Sequence, residues 1–189
     1  MSSSCARRSR RPARSDCPLD GERVGEMVYI DLLNRARKYV HIITPYLILD
    51  GELETALRFA AERGVDVHLI LPGVPDKQFA YALAKTHYKA LLSSGVKISE
   101  WTPGFTHAKL VVMDGVEAVV GTINLDYRSL YLHFENGVWF YKNKVVGDIL
   151  EDFRETLNYC DPINIEFCRD RNILVRGFQS ILRLFAPLL

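Results

Sequence analysis

"YVHIITPYLILDGELETALRFAAERGVDVHLILP", residues 39–72, is the stretch that decides the fold. Residues 39–46 are β-branched and aromatic, with a proline at 45, and suit a buried strand. Leu53, Ala56, Leu57 and Ala60 then recur at helical spacing, and Gly64 closes the helix. Residues 65–72 are a second apolar strand. Strand, helix and strand in this order form a βαβ unit, whose two strands lie parallel because a helical crossover joins them. The fold class is therefore α/β.

The pattern extends in both directions. Met27, Ile30, Leu33 and Ala36 predict a helix from about Glu22 to Lys38. Asp76 is placed to cap a third helix that runs to Ser93 and ends at Gly95. Residues 96–101 read as a third strand and 106–113 as a fourth. A turn at Asp114-Gly115 leads into a returning strand over 117–122, which makes a hairpin. Residues 133–141 form another strand and 145–159 a helix with Val146, Ile149, Phe153 and Leu157 inward. No internal repeat is present.

Three segments follow from composition: an Arg-rich extension over 1–20, a folded domain over 21–162, and a basic amphipathic C-terminal segment over 163–189. Arg7, Arg8, Arg10, Arg11 and Arg14 give the first segment its charge, and its Ser, Arg and Pro content without apolar periodicity reads as disorder. The whole chain carries a net charge of only +1, so bulk charge points to no nucleic-acid partner. In the last segment Leu174, Phe178, Ile181, Leu182 and Phe185 form an apolar stripe, with Arg169, Arg176 and Arg183 on another face. Such a helix suits either an anionic membrane surface or docking on the domain. No apolar run approaches the roughly twenty residues of a spanning helix. Cys5, Cys17, Cys160 and Cys168 lack metal-ligand spacing and fit a reduced setting.

The chemistry gathers in 107–135. Alternate residues of a strand share a face, so His107 and Lys109 project together from an otherwise apolar stretch, "GFTHAKLVVMDG". Asp114 follows at the turn. The segment "GTINLDYRS" then offers Thr122 and Asn124 on one face, with Asp126 and Arg128 beyond. Glu135 sits in an apolar strand, where a carboxylate needs a partner, and an imidazole is a good one. A second His-x-Lys, at His87 and Lys89, falls in a helix, where i and i+2 diverge by about 200°. That pair reads as helix surface.

These residue types suit transfer of a phosphoryl or phosphatidyl group. An imidazole nitrogen attacks phosphorus and forms a phosphoramidate. A lysine neutralises the phosphate oxygens, an amide and a hydroxyl donate to them, and a carboxylate on the second ring nitrogen sets the tautomer. This chemistry calls for no metal and no cofactor, and the sequence carries no metal-ligand cluster.

His107-x-Lys109-x4-Asp114 followed by Gly121-Thr122-x-Asn124 resembles the signature of the phospholipase D superfamily. "TPGFTHAK" and "VVGTINLDYRSLYLHFENGVWFY" resemble, more narrowly, the C-terminal half of bacterial cardiolipin synthases, and the likeness covers roughly residues 16–189. The resemblance implies one catalytic half-domain: a mixed β-sheet flanked by helices. It implies a site shared by two signatures, one histidine becoming phosphorylated and the other protonating the leaving alcohol. Carried onto this chain, His107 is one of the two, Lys109 and Asn124 bind phosphate with Thr122 nearby, Glu135 orients His107, and Asp114 completes the signature or serves the turn.

The implied reaction joins two phosphatidylglycerols into cardiolipin and glycerol. The implied partners are a second signature-bearing half or a second copy, on the cytoplasmic side of the bacterial cell membrane. Members of this kind carry N-terminal membrane helices and two signatures, whereas this sequence carries one. A fragment that needs another half, a homodimeric metal-independent phosphodiesterase acting on lipid or nucleic acid, and an inactive remnant are the three expectations.

Overall fold

A computed structural model describes residues 13–16 and 22–169. The helix expected over 171–185, and all but four residues of the segment read as disordered, lie outside the described residues. Within that segment Ala13–Asp16 form a strand, β1. No apolar pattern marks it; what defines it is backbone pairing with a later strand.

The βαβ unit reads through. β2 (Tyr39–Ile43) and β4 (Asp66–Pro72) pair in parallel, and α2 (Gly51–Glu62) crosses between them. Asp50 caps α2 by accepting from the Leu53 N–H at 2.8 Å. A short strand, β3 (Leu47–Ile48), interrupts the connection after β2. Before the unit lies α1 (Val24–Arg35), and after it come α3 (Gln78–Ser93) and β5 (Lys97–Trp101), which extends the parallel set. The expected cap of α3 is not made. The helix begins at Gln78, without a side-chain cap, and Asp76 instead accepts from the Tyr46 hydroxyl at 2.5 Å.

The chain then turns antiparallel. β6 (Leu110–Met113), β7 (Glu117–Gly121) and β9 (Glu135–Tyr141) follow one another across the sheet, with the two-residue strand β8 (Leu125–Asp126) paired to β3. Beyond α4 (Val145–Leu157), β10 (Cys160–Ile163) closes the far edge and a short α5 (Glu166–Arg169) follows. The order is β1-β9-β7-β6-β2-β4-β5-β10, a mixed sheet. The main core lies between the sheet and α1–α3, where Leu32, Leu53, Leu57, Tyr88 and Leu91 meet Val40, Val67, Leu69, Val111 and Val119. α4 covers the opposite face through Val146 and Phe153.

β6 joins the parallel half to the antiparallel half by pairing with β2 on one side and β7 on the other. Asp114 fixes that junction. Its carboxylate accepts from the backbone N–H groups of Arg37, Lys38 and Tyr39, each at 2.9 Å. It takes up a positive φ of 53°, with Gly115 at 68°, as the tight hairpin requires. Burial alone would raise the Asp114 pKa, but the N–H groups of Tyr39, Arg37 and Lys38 outweigh it and hold the carboxyl below its ordinary range. Asp114→Asn tolerates the same backbone and isolates the lost charge. It should lower unfolding free energy by about 1–3 kcal/mol in a urea titration, with the gap to wild type shrinking at acid pH as the native carboxylate protonates.

Beneath α4, His41 and His68 are register partners on β2 and β4, and the Phe153 ring stacks on His41 with centroids 4.6 Å apart. His68 Nε2 lies 2.9 Å from the Ser99 hydroxyl. Burial lowers the pKa of both imidazoles, and the neighbouring His41 lowers His68 further, to about 4. A histidine held neutral in the fold is protonated first in the unfolded chain. The stability it supports is therefore complete above about pH 6.5 and is lost as pH falls toward 4. His68→Gln should flatten this limb by on the order of 2 kcal/mol when unfolding is followed from pH 7 to pH 4.

Candidate active site

His107, Lys109, Thr122, Asn124 and Glu135 line one open depression of about 530 Å³, together with Gly121. It lies where the sheet runs out. β6 begins only at Leu110, so His107 and Lys109 precede the strand rather than belonging to it. The expected strand over 106–113 is shorter because β2 ends at Ile43, leaving the chain upstream of Leu110 without a partner there. The ladder still reaches Lys109, whose carbonyl accepts from the Gly121 N–H at 3.2 Å. His107 is exposed and Lys109 half-buried.

The opposite wall is built by the ends of β7 and β9. Gly121 and Gly137 are register partners. A Cβ on Gly121 would lie 2.1 Å from the Asn136 carbonyl oxygen, so only glycine permits this approach. The Thr122 N–H donates to that same carbonyl at 2.9 Å, and the Thr122 hydroxyl accepts from the Asn136 N–H at 3.0 Å. The hydroxyl donates its own proton to Glu135 in a short hydrogen bond. Glu135 is thus tied to Thr122. Among the described residues no hydrogen bond joins it to the His107 ring, so the orienting contact expected between them is not made. Its second oxygen lies 3.9 Å from Nδ1 of His133.

Lys109 donates to the His107 carbonyl at 2.7 Å. Burial lowers its pKa, opposed by the negative charges of Glu135 and Asp126. Asn124 lies 2.8 Å from the Ser129 hydroxyl through its amide, and its other amide atom is buried without a partner. Asp126 is buried and accepts from the Ser129 N–H at 2.8 Å, capping a single π-helical turn over Arg128–Leu132. Tyr131 anchors that turn: its hydroxyl lies 2.8 Å from Glu26 and in a short hydrogen bond with Asp50. Burial, and the Asp50 carboxylate beside it, push Glu26 up to about 7.

Asp114 serves the turn, one of its two expected roles, and the reading of His87 as helix surface needs correcting. Asp114 stands at the opposite end of β6 from His107, roughly 20 Å away at about 3.3 Å per residue. It serves the backbone at Arg37–Tyr39 and touches nothing in the depression. His87 is not helix surface: it is buried, with Nδ1 2.7 Å from Glu54, while Lys89 is exposed as expected. Sequence reasoning also passed over His133, half-exposed beside Glu135. Its signal was present in the i, i+2 spacing of His133-x-Glu135.

Thr122→Val keeps the shape and removes the hydroxyl. It should cost about 1–2 kcal/mol in thermal unfolding because Glu135 loses its donor, and it should weaken binding of inorganic phosphate in a calorimetric titration.

The family model described as cardiolipin synthase, PLD-like domain, matches residues 29–157. An uncharacterized protein of Streptococcus mutans is 55% identical over 175 residues, covering 93% of this chain and 38% of the relative. The cardiolipin synthase of Clostridium perfringens is 39% identical over 161 residues, 85% of this chain and 34% of its own length. Among solved structures, the phospholipase D family member Nuc of Salmonella typhimurium superposes with a TM-score of 0.69 at 17% identity, covering 82% of this chain and 99% of that one. The chain spans little more than a third of the length of the curated relatives it matches.

Proposed function

The chain belongs to the phospholipase D-like domain family of cardiolipin synthases, and from that premise we propose that it supplies one half of a phosphatidyl-transfer site. The observation that carries this reading is the convergence of His107, Lys109, Thr122, Asn124 and Glu135 on one depression. Its parts match the needs of a phosphodiester: a nucleophilic imidazole, a cation, an amide and a hydroxyl.

In this reading His107 attacks the phosphorus of phosphatidylglycerol. A P–N bond forms, the P–O bond to glycerol breaks, and glycerol leaves with a proton from a second histidine. The hydroxyl of a second phosphatidylglycerol then attacks the phosphohistidine, returning its proton to that second histidine and freeing His107. The product is cardiolipin. Lys109 and Asn124 hold the phosphate oxygens as charge builds on them, with Thr122 beside them. With the two roles exchanged, His107 protonates the leaving glycerol instead, and the histidine of a second signature-bearing half at the cytoplasmic face of the membrane attacks phosphorus.

A self-paired phosphodiesterase is the second reading. One observation favours it: Nuc, matched over 99% of its length, is a chain no larger than this unit.

Co-expression with a signature-bearing N-terminal half, in cells lacking other cardiolipin synthases, separates the two readings. Cardiolipin should form from phosphatidylglycerol, and His107→Ala should reduce it on the order of 10³-fold or more. Absence of cardiolipin from the wild-type pair, combined with hydrolysis by the chain alone as a dimer, would favour the second reading.

A further inference from the structure

The π-helical turn over Arg128–Leu132 is a rare conformation, and such turns recur at functional sites. It is tied down at two polar points. Ser129 donates its N–H to Asp126, and its hydroxyl accepts from the Asn124 amide at 2.8 Å, so the turn touches a residue that lines the depression. Two residues on, the Tyr131 hydroxyl lies 2.8 Å from Glu26 of α1 and in a short hydrogen bond with Asp50, the cap of α2. Leu130, between them, is buried in the core.

The protons around Tyr131 do not balance if both acids are ionised. A phenol carries one proton, and here two buried carboxyl groups lie against it, Glu26 at 1% exposure and Asp50 at 9%. The hydroxyl donates to one of them. Toward the other it must accept, and that acid then holds a proton of its own. Asp50 also accepts from the Leu53 N–H, which suits it to the ionised form, so the added proton falls to Glu26. Among the described residues, the other charged or titratable groups facing the trio are Arg23, Glu52 and Tyr127. Arg23 lies 3.6 Å from Glu26 and 5.2 Å over the Tyr131 ring, Glu52 lies 3.9 Å from Arg23, and the Tyr127 ring is 5.4 Å from that of Tyr131. One half-exposed guanidinium against two buried carboxylates leaves a negative charge in excess, which the extra proton removes. Burial raises the Glu26 pKa to about 7, so the proton is held in mildly acid solution and lost just above neutrality. Its loss sets two carboxylates against one phenol, and the contact to Glu26 turns repulsive.

We propose that Tyr131 is a positioning residue for the depression: with an extra proton on Glu26 it holds the π-helical turn, and through Ser129 the turn holds Asn124 where a phosphodiester binds. The proposal rests on the reading of the depression as a phosphate site and adds to it a proton-dependent brace. Coupling between two ligands is reciprocal. If the proton on Glu26 favours the phosphodiester, a bound phosphodiester favours the proton.

The test uses the full chain with dimethyl phosphate, a monoanion throughout, titrated by calorimetry from about pH 5.5 to about pH 8.5. Wild-type affinity should fall about five- to tenfold as pH rises through 7, beyond any loss due to His107 and His133, which a Glu26→Gln variant shares. Glu26→Gln carries a neutral donor at every pH. Its affinity should match wild type at the acid end and exceed it by that factor at the alkaline end. Tyr131→Phe should bind about five- to tenfold more weakly at the acid end and lose the step. In carboxyl NMR, saturating dimethyl phosphate should raise the Glu26 titration midpoint by about 0.7 to 1 pH unit. A merely structural tyrosine would weaken binding without moving that midpoint.

Superimposable profiles for wild type and Glu26→Gln, or a Glu26 midpoint unmoved by dimethyl phosphate, overturn the proposal. If Glu26→Gln does not fold, the midpoint measured on the wild-type chain decides. Where those negative results accompany binding that Lys109→Ala abolishes, the phosphate reading stands and only the brace falls. If no Lys109-dependent binding appears at any pH, both fall.

Discussion

Three backbone N–H groups converging on one carboxylate set the register on which the site depends. β6 must lie antiparallel to β2 in one alignment, with Val40 opposite Met113 and Ile43 opposite Leu110. A slip of one residue would turn every β6 side chain to the other face. Val111 and Met113 would leave the core, and His107 and Lys109 upstream would turn away from Thr122 and Asn124. Asp114 prevents this by binding Arg37, Lys38 and Tyr39 at the end of β6 remote from the chemistry. The spacing from His107 through Lys109 to Asp114 then has a physical meaning: two groups line the depression, and the third fixes the strand that follows them.

The strand-helix-strand core was legible because its periodicities are strong and its helix carries a cap and a closing glycine. The hairpin was legible from Asp114-Gly115. The site's membership was legible as well, since Thr122 and Asn124 alternate and Glu135 is a charge in an apolar strand. Contacts made by tertiary packing were not. His87 lies beside a lysine and looks like surface, yet Glu54, distant in sequence on α2, draws it inward. Glu135 invites an imidazole partner, but the short approach of β7 to β9 at Gly121 brings the Thr122 hydroxyl there first. β1 has no pattern to read because its identity comes entirely from the edge of β9.

Polar groups in this fold brace the segments that flank the depression. Asp126 and Tyr131 hold the π-helical turn from both ends, and that turn leads into His133 and Glu135. Arg35 and Trp139 saturate Glu117, which would otherwise be an unpaired charge beneath the sheet. The depression itself is left open. His107 is exposed, and Asn124 lines the hollow with its NH₂ donating to the Ser129 hydroxyl.

All the groups that face the depression come from one run of chain, residues 107–135, clamped to its own sheet by Asp114. A unit of this kind carries its chemistry as a cassette. A gene encoding it can be copied, fused end to end or divided, and each copy folds with its register already set. Once two copies are present, the depression of each is free to diverge in sequence without any rearrangement of the strands that hold it.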